Sequence, residues 1–423
     1  MTLNIHGDLK RGFQVSLIIN RRLIAFLVAL AAGIVIAAQI GKMPSALPVL
    51  RNSFDLSLVQ AGWLSASING AAAVLGLVSG LLAAKTGVGN TLLLGLFAAV
   101  VGTVLGALST TGEMLLGTRL LEGVGFVLIA VSAPSIIAAA ATPEWRRRAL
   151  AIWGCYMPIG VAGMIVLTPM LIATGGWQTV WWVNGGLLVC VLVIAWSMKS
   201  AFPKTQPSPA GKQSLLSQLR QSTQLTGHWV MGGAFAIYSS QWFMIGTWLP
   251  SFAVSYMEFS LNQAALLTGL VMLANALGNL AAPYLASVGF TRWQVIAAGQ
   301  VLISGFGFVV FSSDIQPELR MFAAIAASIA GGTIPGTVMA GIPVHARDAS
   351  EVAFGNGIVV QCINVGILLG PPAIAAVVAE FGGWDTGRWV FPFVGCFGVV
   401  LAFVLRRLEL VKFGAPPDTK AAS

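Results

Sequence analysis

The chain is 423 residues long, 57% hydrophobic and only 9% charged, with a mean hydropathy of +0.86, which excludes a soluble globular domain because so much apolar surface has no way out of water. Its formal charge of +9 would suggest nucleic acid if the basic side chains shared one face, but they fall in small clusters between apolar runs and read as topology signals. All four cysteines, Cys155, Cys190, Cys362 and Cys396, lie inside apolar runs, which leaves neither a disulfide framework nor a zinc spacing.

Residues 1-22 carry His6, Asp8, Lys10 and Arg11 and lead into an apolar run too long for a signal peptide, with no small-residue cleavage site. Twelve apolar spans are predicted at 23-46, 60-83, 91-110, 113-141, 149-172, 179-198, 229-255, 262-286, 293-312, 319-342, 353-379 and 387-408. A bilayer core about 30 Å thick needs roughly 20 apolar residues per helix. The spans are helical because lipid offers no partner to a bare backbone group. The fold class is therefore all-α integral membrane, with twelve transmembrane helices in two six-helix pseudo-symmetric bundles. The expected divisions are a cytoplasmic N-terminus (1-22), an N-terminal six-helix bundle (23-198), a cytoplasmic linker (199-228), a C-terminal six-helix bundle (229-408) and a cytoplasmic tail (409-423).

Orientation follows from Lys and Arg. Arg21 and Arg22, then Arg146, Arg147 and Arg148, then Lys199, Lys204, Lys212 and Arg220, and finally Arg406, Arg407 and Lys412 all fall on one side of a twelve-span chain. The positive-inside rule makes that side cytoplasmic and places Asp55, Glu113, Glu258 and Asp385 outside.

In the first span Gln39 and Lys42 are spaced i, i+3. Lys42 either binds an anionic substrate in a central cavity or snorkels to the headgroups. After the second span the chain reads Gly80-Leu-Leu-Ala-Ala-Lys85-Thr-Gly87, which taken alone is a helix end closed by a glycine turn. In the fourth span Arg119-Leu-Leu-Glu122-Gly123-Val-Gly125 puts Arg119 and Glu122 on one helical face, where each lowers the cost of holding the other in a membrane. Substrate that competes for Arg119 would release Glu122 to take a proton; the competing reading is a static pair bracing the helices. The seventh span carries Tyr238, Ser239, Ser240, Gln241 and Trp242 at mid-depth, where a lipid-facing helix would be aliphatic. The eleventh holds Gln361 and Asn364, which either line a cavity or bond between helices.

The two halves repeat. Asp55-Leu-Ser-Leu-Val-Gln-Ala61 recurs as Glu258-Phe-Ser-Leu-Asn-Gln-Ala264, an offset of 203 residues (258 − 55), and Gly175-Gly-Trp-Gln-Thr179 recurs as Gly382-Gly-Trp-Asp-Thr386, an offset of 207 (382 − 175). Arg119 precedes Pro134 by the same fifteen residues that separate Arg320 from Pro335. Two related bundles that rock about a midplane site are what alternating access requires.

These signatures resemble the major facilitator superfamily over nearly the whole length. Arg119-Leu-Leu-Glu122-Gly123-Val-Gly125 is similar to the family's R-x-x-Q-G-x-G, with Glu in the Gln place. The loop from Gly80 to Asn90 resembles its G-x-L-x-D-R-x-G-R-R, which implies a gating loop at Gly80, Lys85 and Gly87: Gly80, Leu82, Lys85 and Gly87 fit, but Ala84 replaces the Asp and Val88-Gly89 the basic pair. In the fifth span Met157-Pro158 departs from the Gly-Pro pair of the family's antiporters, which leans the resemblance away from drug export and toward uptake or facilitated exchange. Gly41-Lys-Met-Pro-Ser-Ala-Leu-Pro48 and Val59-Gln-Ala-Gly62 resemble the cyanate and nitroimidazole permease branch.

No H-E-x-x-H and no G-x-x-x-x-G-K-[ST] occurs, so the chain reads as no enzyme, with no metal and no cofactor. The expected function is a secondary active transporter of a small organic or inorganic anion, by proton-coupled uptake across the bacterial inner membrane. Its partners would be the anionic substrate, protons and the lipid bilayer, not nucleic acid. The anion follows from buried cations, Lys42, Arg119 and Arg320, outnumbering Glu122; protons follow from the family resemblance. The alternative is a proton-driven exporter of an amphipathic drug or metabolite.

Overall fold

Two short turns show how the duplicated sequence becomes duplicated structure. In the first, Asp55 takes a left-handed backbone (φ 50°) and Ser57 caps the next helix, accepting from the Gln60 N–H at 3.2 Å while Gln60 Oε1 accepts from the Ser57 N–H at 2.9 Å. In the second, Glu258 (φ 56°), Ser260 and Gln263 repeat the same capping box at 3.3 and 2.9 Å. Such a box satisfies backbone donors that a helix start otherwise leaves bare. Asp55 and Glu258 are the two non-glycine residues with positive φ among the described residues.

A computed structural model of the chain describes residues 5–202, 225–347 and 349–413. The helices are α1 (Ile5–Phe54), α2 (Leu58–Thr86), α3 (Val88–Ala107), α4 (Gly112–Ala140), α5 (Arg146–Gly154), α6 (Tyr156–Gly175) and α7 (Trp177–Ser197). They continue with α8 (Thr226–Tyr256), α9 (Leu261–Ser287), α10 (Arg292–Val310), α11 (Pro317–His345), α12 (Ala349–Phe381), α13 (Trp384–Gly387) and α14 (Val390–Phe413). Together α5 and α6 make the fifth span and α13 and α14 the twelfth. The linker lysines Lys204 and Lys212, Arg220, the first four residues and the tail from 414 onward lie outside the described residues.

Twelve membrane helices thus form two pseudo-symmetric six-span bundles. In the first, α1 packs on α4, α6 and α7, and α4 on α2 and α3; in the second, α8 packs on α12 and α14, and α11 on α9 and α10. The bundles meet along α2 against α12, α6 against α9 and α1 against α8. Successive spans alternate direction, so Arg21, Arg22, Arg146, Arg148, Lys199, Arg406, Arg407 and Lys412 emerge at one end, and Asp55, Glu113, Glu258 and Asp385 at the other.

Two departures from the sequence expectation have local causes. The fifth span is one run in the sequence but breaks at Cys155, because Pro158 has no N–H to give the Gly154 carbonyl. The first helix reaches Phe54 despite Pro44 and Pro48, since a helix packed among neighbours in lipid tolerates the missing hydrogen bonds. Eleven spans among the described residues are long and apolar enough to cross a bilayer. The remaining one, α8, has the length at 31 residues but carries Tyr238-Ser-Ser-Gln-Trp242 in its middle.

Candidate functional site

The fourth helix owes its position to the glycines beside its charges. A Cβ on Gly123 would lie 2.2 Å from the Ile68 carbonyl oxygen of α2, and one on Gly125 2.7 Å from the Gly95 carbonyl oxygen of α3. Only glycine lets α4 lie this close to both neighbours, and the approach sets Arg119 and Glu122 deep in the first bundle.

Around Glu122 four helices contribute a closed polar cluster. Lys42 Nζ of α1 donates to Glu122 Oε1 at 2.7 Å and to Gln39 Oε1 at 2.6 Å, and Arg119 pairs with Glu122 Oε2. Arg119 also donates to the Gln39 carbonyl oxygen at 2.8 Å. Thr103 Oγ1 of α3 lies 3.2 Å from Gln39 Oε1 and 3.1 Å from Glu122 Oε1, so its one proton serves either acceptor. Asn184 of α7 accepts from Gln39 Nε2 at 3.2 Å, and the Lys42 ammonium stands 4.3 Å above the Trp181 ring.

The Lys42, Arg119 and Glu122 side chains are 0% exposed. With all three ionised, the cluster carries one carboxylate against two cations. Charges removed from water are tolerated only when paired and fully hydrogen-bonded. Here two polar atoms remain without a partner, Arg119 Nη2 and Trp181 Nε1. Arg119 therefore keeps one donor unused beside the carboxylate it shares with Lys42.

The other sequence candidates fall elsewhere. Gln241 Nε2 donates to Gln300 Oε1 at 3.2 Å and Gln241 Oε1 accepts from Ser304 Oγ at 2.9 Å. Tyr238 Oη accepts from Asn275 Nδ2 at 2.6 Å, and Trp242 Nε1 donates to Ser328 Oγ at 2.9 Å. All three bond within the second bundle and are buried. Gln361 Nε2 crosses to the first bundle, donating to the Ala73 carbonyl oxygen at 3.4 Å, whereas Asn364 bonds back to Val360 of its own helix at 2.8 Å. Lys85 is exposed in the last turn of α2, and Gly87 ends that helix with φ 92° and its N–H on the Ala83 carbonyl oxygen at 3.0 Å. Gly80 lies inside α2, and its surroundings are outside the described residues.

Sequence reasoning missed Thr103, Asn184, Gln300, Ser304, Asn275 and Ser328. Thr103 and Ser304 are separated by 201 residues (304 − 103), close to the repeat offset, and a search for polar residues kept in both halves would have found them. Among the described residues no group of three His, Cys, Asp or Glu side chains converges as a metal site requires.

Between the bundles, Ser65 Oγ and Thr247 Oγ1 are hydrogen-bonded at 3.2 Å. Only about 10 Å³ of free space remains beside them, between Ile40, Pro44 and Ile165 of one half and Phe243, Gly246 and Met272 of the other. The halves are shut at this depth, on the side of Asp55 and Glu258.

Duplicated six-span bundles, close-packed glycines and a buried ionic cluster in one half define a polytopic membrane protein with the fold of a two-bundle carrier. The chain belongs to the Major Facilitator Superfamily, which it matches over residues 23–349. It is similar to the methylenomycin A resistance protein of Bacillus subtilis (strain 168), 28% identical over 43% of this chain and 39% of that one. To the galactose-proton symporter of Escherichia coli (strain K12) it is 26% identical over 40% of this chain and 36% of that one. To the 3-(3-hydroxy-phenyl)propionate transporter of Escherichia coli (strain K12) it is 29% identical over 57% of this chain and 58% of that one. The alignments thus span from about a third to under two thirds of these relatives' length. Among solved structures, a bacterial homolog of the human lysosomal transporter Spinster, inward-facing and unoccupied, superposes with a TM-score of 0.78 at 16% identity, covering 94% of this chain and 99% of that one. That likeness is one of fold.

Proposed function

We propose that the chain is a secondary transporter, not an enzyme, that carries a small organic or inorganic anion across the bacterial inner membrane by alternating access, coupled to protons in the direction of uptake. The observation that carries this reading is Glu122 held between Lys42 and Arg119 with no exposed surface. An anion that reaches Arg119 competes with Glu122 for the guanidinium, and the displaced carboxylate binds a proton. Proton and anion then cross together, so the net charge of the buried cluster is the same before and after the anion binds.

In this reading Gln39, Lys42 and Arg119 contact substrate from the first bundle, and Tyr238, Gln241, Trp242, Gln361 and Asn364 from the second. All now hold protein partners, so substrate exchanges for those bonds as the bundles part. Residues 23-198 and 229-408 are the two moving bodies, 199-228 the linker, and Gly80, Lys85 and Gly87 the gating loop, with both termini cytoplasmic. A relative named for a propionate, which is a carboxylate, supports the anion, a relative named as a proton symporter supports the coupling, and the permease-branch resemblance around Lys42 supports a small substrate.

The test is uptake of radiolabelled anions, an arylpropionate and cyanate among them, into proteoliposomes with an alkaline interior. Wild type is expected to accumulate one of them above equilibrium and Arg119→Ala not to; accumulation indifferent to the pH gradient would sink the coupling. Similarity to a resistance protein favours the second reading, a proton-driven exporter of an amphipathic drug or metabolite. Accumulation of such a compound in inverted vesicles with an acid interior, without anion uptake, decides for it.

A further inference from the structure

Helices α3 and α7 pack tightly at one end and part toward the other. Near the Glu113 end Gly106 lies against the Trp181 indole, and one turn on Gly185 lies against Thr103. Toward the end that carries the basic clusters the two helices leave a groove of about 580 Å³. Leu94 and Phe97 of α3 and Val193 and Trp196 of α7 line it and are exposed. Its polar atoms are confined to the mouth, where Asn90, Ser197 and Lys199 stand.

Lys199 carries the charge of this site. Its ammonium lies 5.6 Å from the Trp196 ring centre, and among the described residues it has no carboxylate partner. A tryptophan beside a lysine at a helix end marks the depth of the lipid headgroups.

The second bundle treats the corresponding place differently. At the start of α10, Trp293 packs on Phe403 of α14 with ring centres 5.4 Å apart, and Arg406 covers the same indole at 4.9 Å. The repeated fold therefore has a filled version of this contact, with Trp293 and Arg406 at the places that Asn90 and Lys199 hold in the first half.

We propose that the groove binds one anionic phospholipid, an acyl chain lying along Leu94, Phe97 and Val193 and its phosphate on Lys199, with Asn90 as a second donor. The volume suits a bound molecule rather than a surface irregularity, and the unpaired ammonium selects its charge. A zwitterionic lipid would set its own cationic headgroup against Lys199, whereas an anionic lipid does not.

The full-length protein, freed of native lipid in detergent, is titrated with dioleoyl phosphatidylglycerol or dioleoyl phosphatidylcholine and followed by native mass spectrometry. Wild type is expected to bind the first phosphatidylglycerol about fivefold more tightly than phosphatidylcholine, the effect of one lysine at the surface of an anionic leaflet. In Lys199→Gln that preference disappears while phosphatidylcholine binding is unchanged; Leu94→Trp, which fills the groove with an exposed side chain, removes the tightest site for both lipids. Brominated phosphatidylglycerol locates the site, because quenching is expected to be smaller in Trp196→Phe by more than the loss of one average tryptophan. Equal binding of both lipids by wild type, a preference that survives in Lys199→Gln, or quenching indifferent to Trp196 would each overturn the assignment.

Discussion

Thr103 and Ser304 hold the same place in the two halves: the Thr103 hydroxyl reaches Gln39 Oε1 at 3.2 Å, and the Ser304 hydroxyl donates to Gln241 Oε1 at 2.9 Å. The glutamines are 202 residues apart (241 − 39) and the hydroxyls 201, so one glutamine clip has been kept in both copies of the unit. The charges have not. Where the first half has Lys42 and Glu122, the equivalent positions of the second are Met244 and Ala323. Arg320 matches Arg119, but it donates to the backbone carbonyls of Ser313 and Tyr256 instead of to a carboxylate on its own helix. The buried lysine and carboxylate are therefore confined to one bundle, and the equivalent place in the other keeps only the arginine, Arg320.

The order of stabilities among cluster variants follows from that charge count. Lys42→Met leaves Arg119 and Glu122 as a neutral pair, whereas Glu122→Gln leaves two buried cations with no anion. Removing one partner of a buried pair costs about 3–5 kcal/mol, so Glu122→Gln is expected to lower the Tm of the purified protein well below that of Lys42→Met. Equal losses would overturn this ordering and with it the claim that the cluster depends on Glu122 as its one anion.

The two hydroxyl variants separate stability from coupling. Gln241 Oε1 has Ser304 as its donor, so Ser304→Ala leaves a buried acceptor bare and costs about 1–3 kcal/mol. Gln39 Oε1 keeps Lys42 in Thr103→Val, so the loss there is nearer 1 kcal/mol. Coupling should respond the other way, since Thr103 touches Glu122 and Ser304 touches no ionised group. Thr103→Val is expected to shift the pH dependence of uptake, and Ser304→Ala to leave it in place while lowering the Tm.

Much of this arrangement is written in local patterns. Asp55 to Gln60 and its copy at Glu258 to Gln263 specify a turn and a cap that form from neighbours alone, and the i, i+3 spacing of Arg119 and Glu122 makes their pairing visible before any folding. Lys42 is different, because its contact with Glu122 joins residues 80 positions apart on separate helices, and a single sequence does not record which helix faces which. The polar middle of α8 shows the same limit. Tyr238, Gln241 and Trp242 stand out as polar groups that lipid would reject, but whether they face a neighbouring helix or a cavity depends on the rotation of α8, which Asn275, Gln300 and Ser328 reveal only once packed. The break at Cys155 did carry a sign, Pro158, placed where a continuous helix needs a donor.

Trp242 offers a test that divides packing from binding. Trp242→Phe keeps the ring and removes the N–H that reaches Ser328, an interhelical bond of the kind worth about 0.6 kcal/mol in a membrane protein. A residue that only packs would lower the Tm slightly and leave transport unchanged. As a substrate contact it should raise KM about tenfold, equivalent to ~1.4 kcal/mol, with kcat within twofold. An unchanged KM removes Trp242 from the proposed site.

The contact between Ser65 and Thr247 makes the alternating movement itself accessible. These side chains belong to opposite bundles and their oxygens are 3.2 Å apart; beside them a Cβ on Gly62 would lie 2.8 Å from Pro372 Cα of the second bundle. A movement that opens this side of the protein has to separate both contacts. The double variant Ser65→Cys/Thr247→Cys, in a background with Cys155, Cys190, Cys362 and Cys396 replaced by serine, is expected to form a disulfide on mild oxidation. Uptake should then fall by at least tenfold, and a reductant should restore it, because a covalent link holds the bundles closed here. Gly62→Val acts in the opposite sense: its side chain meets backbone that has no rotamer to yield, so the bundles are wedged apart and a thiol reagent should label Thr247→Cys faster than in the Gly62 parent. Full transport by the oxidised double variant would show that these helices stay together throughout the cycle, and that the pivot lies elsewhere.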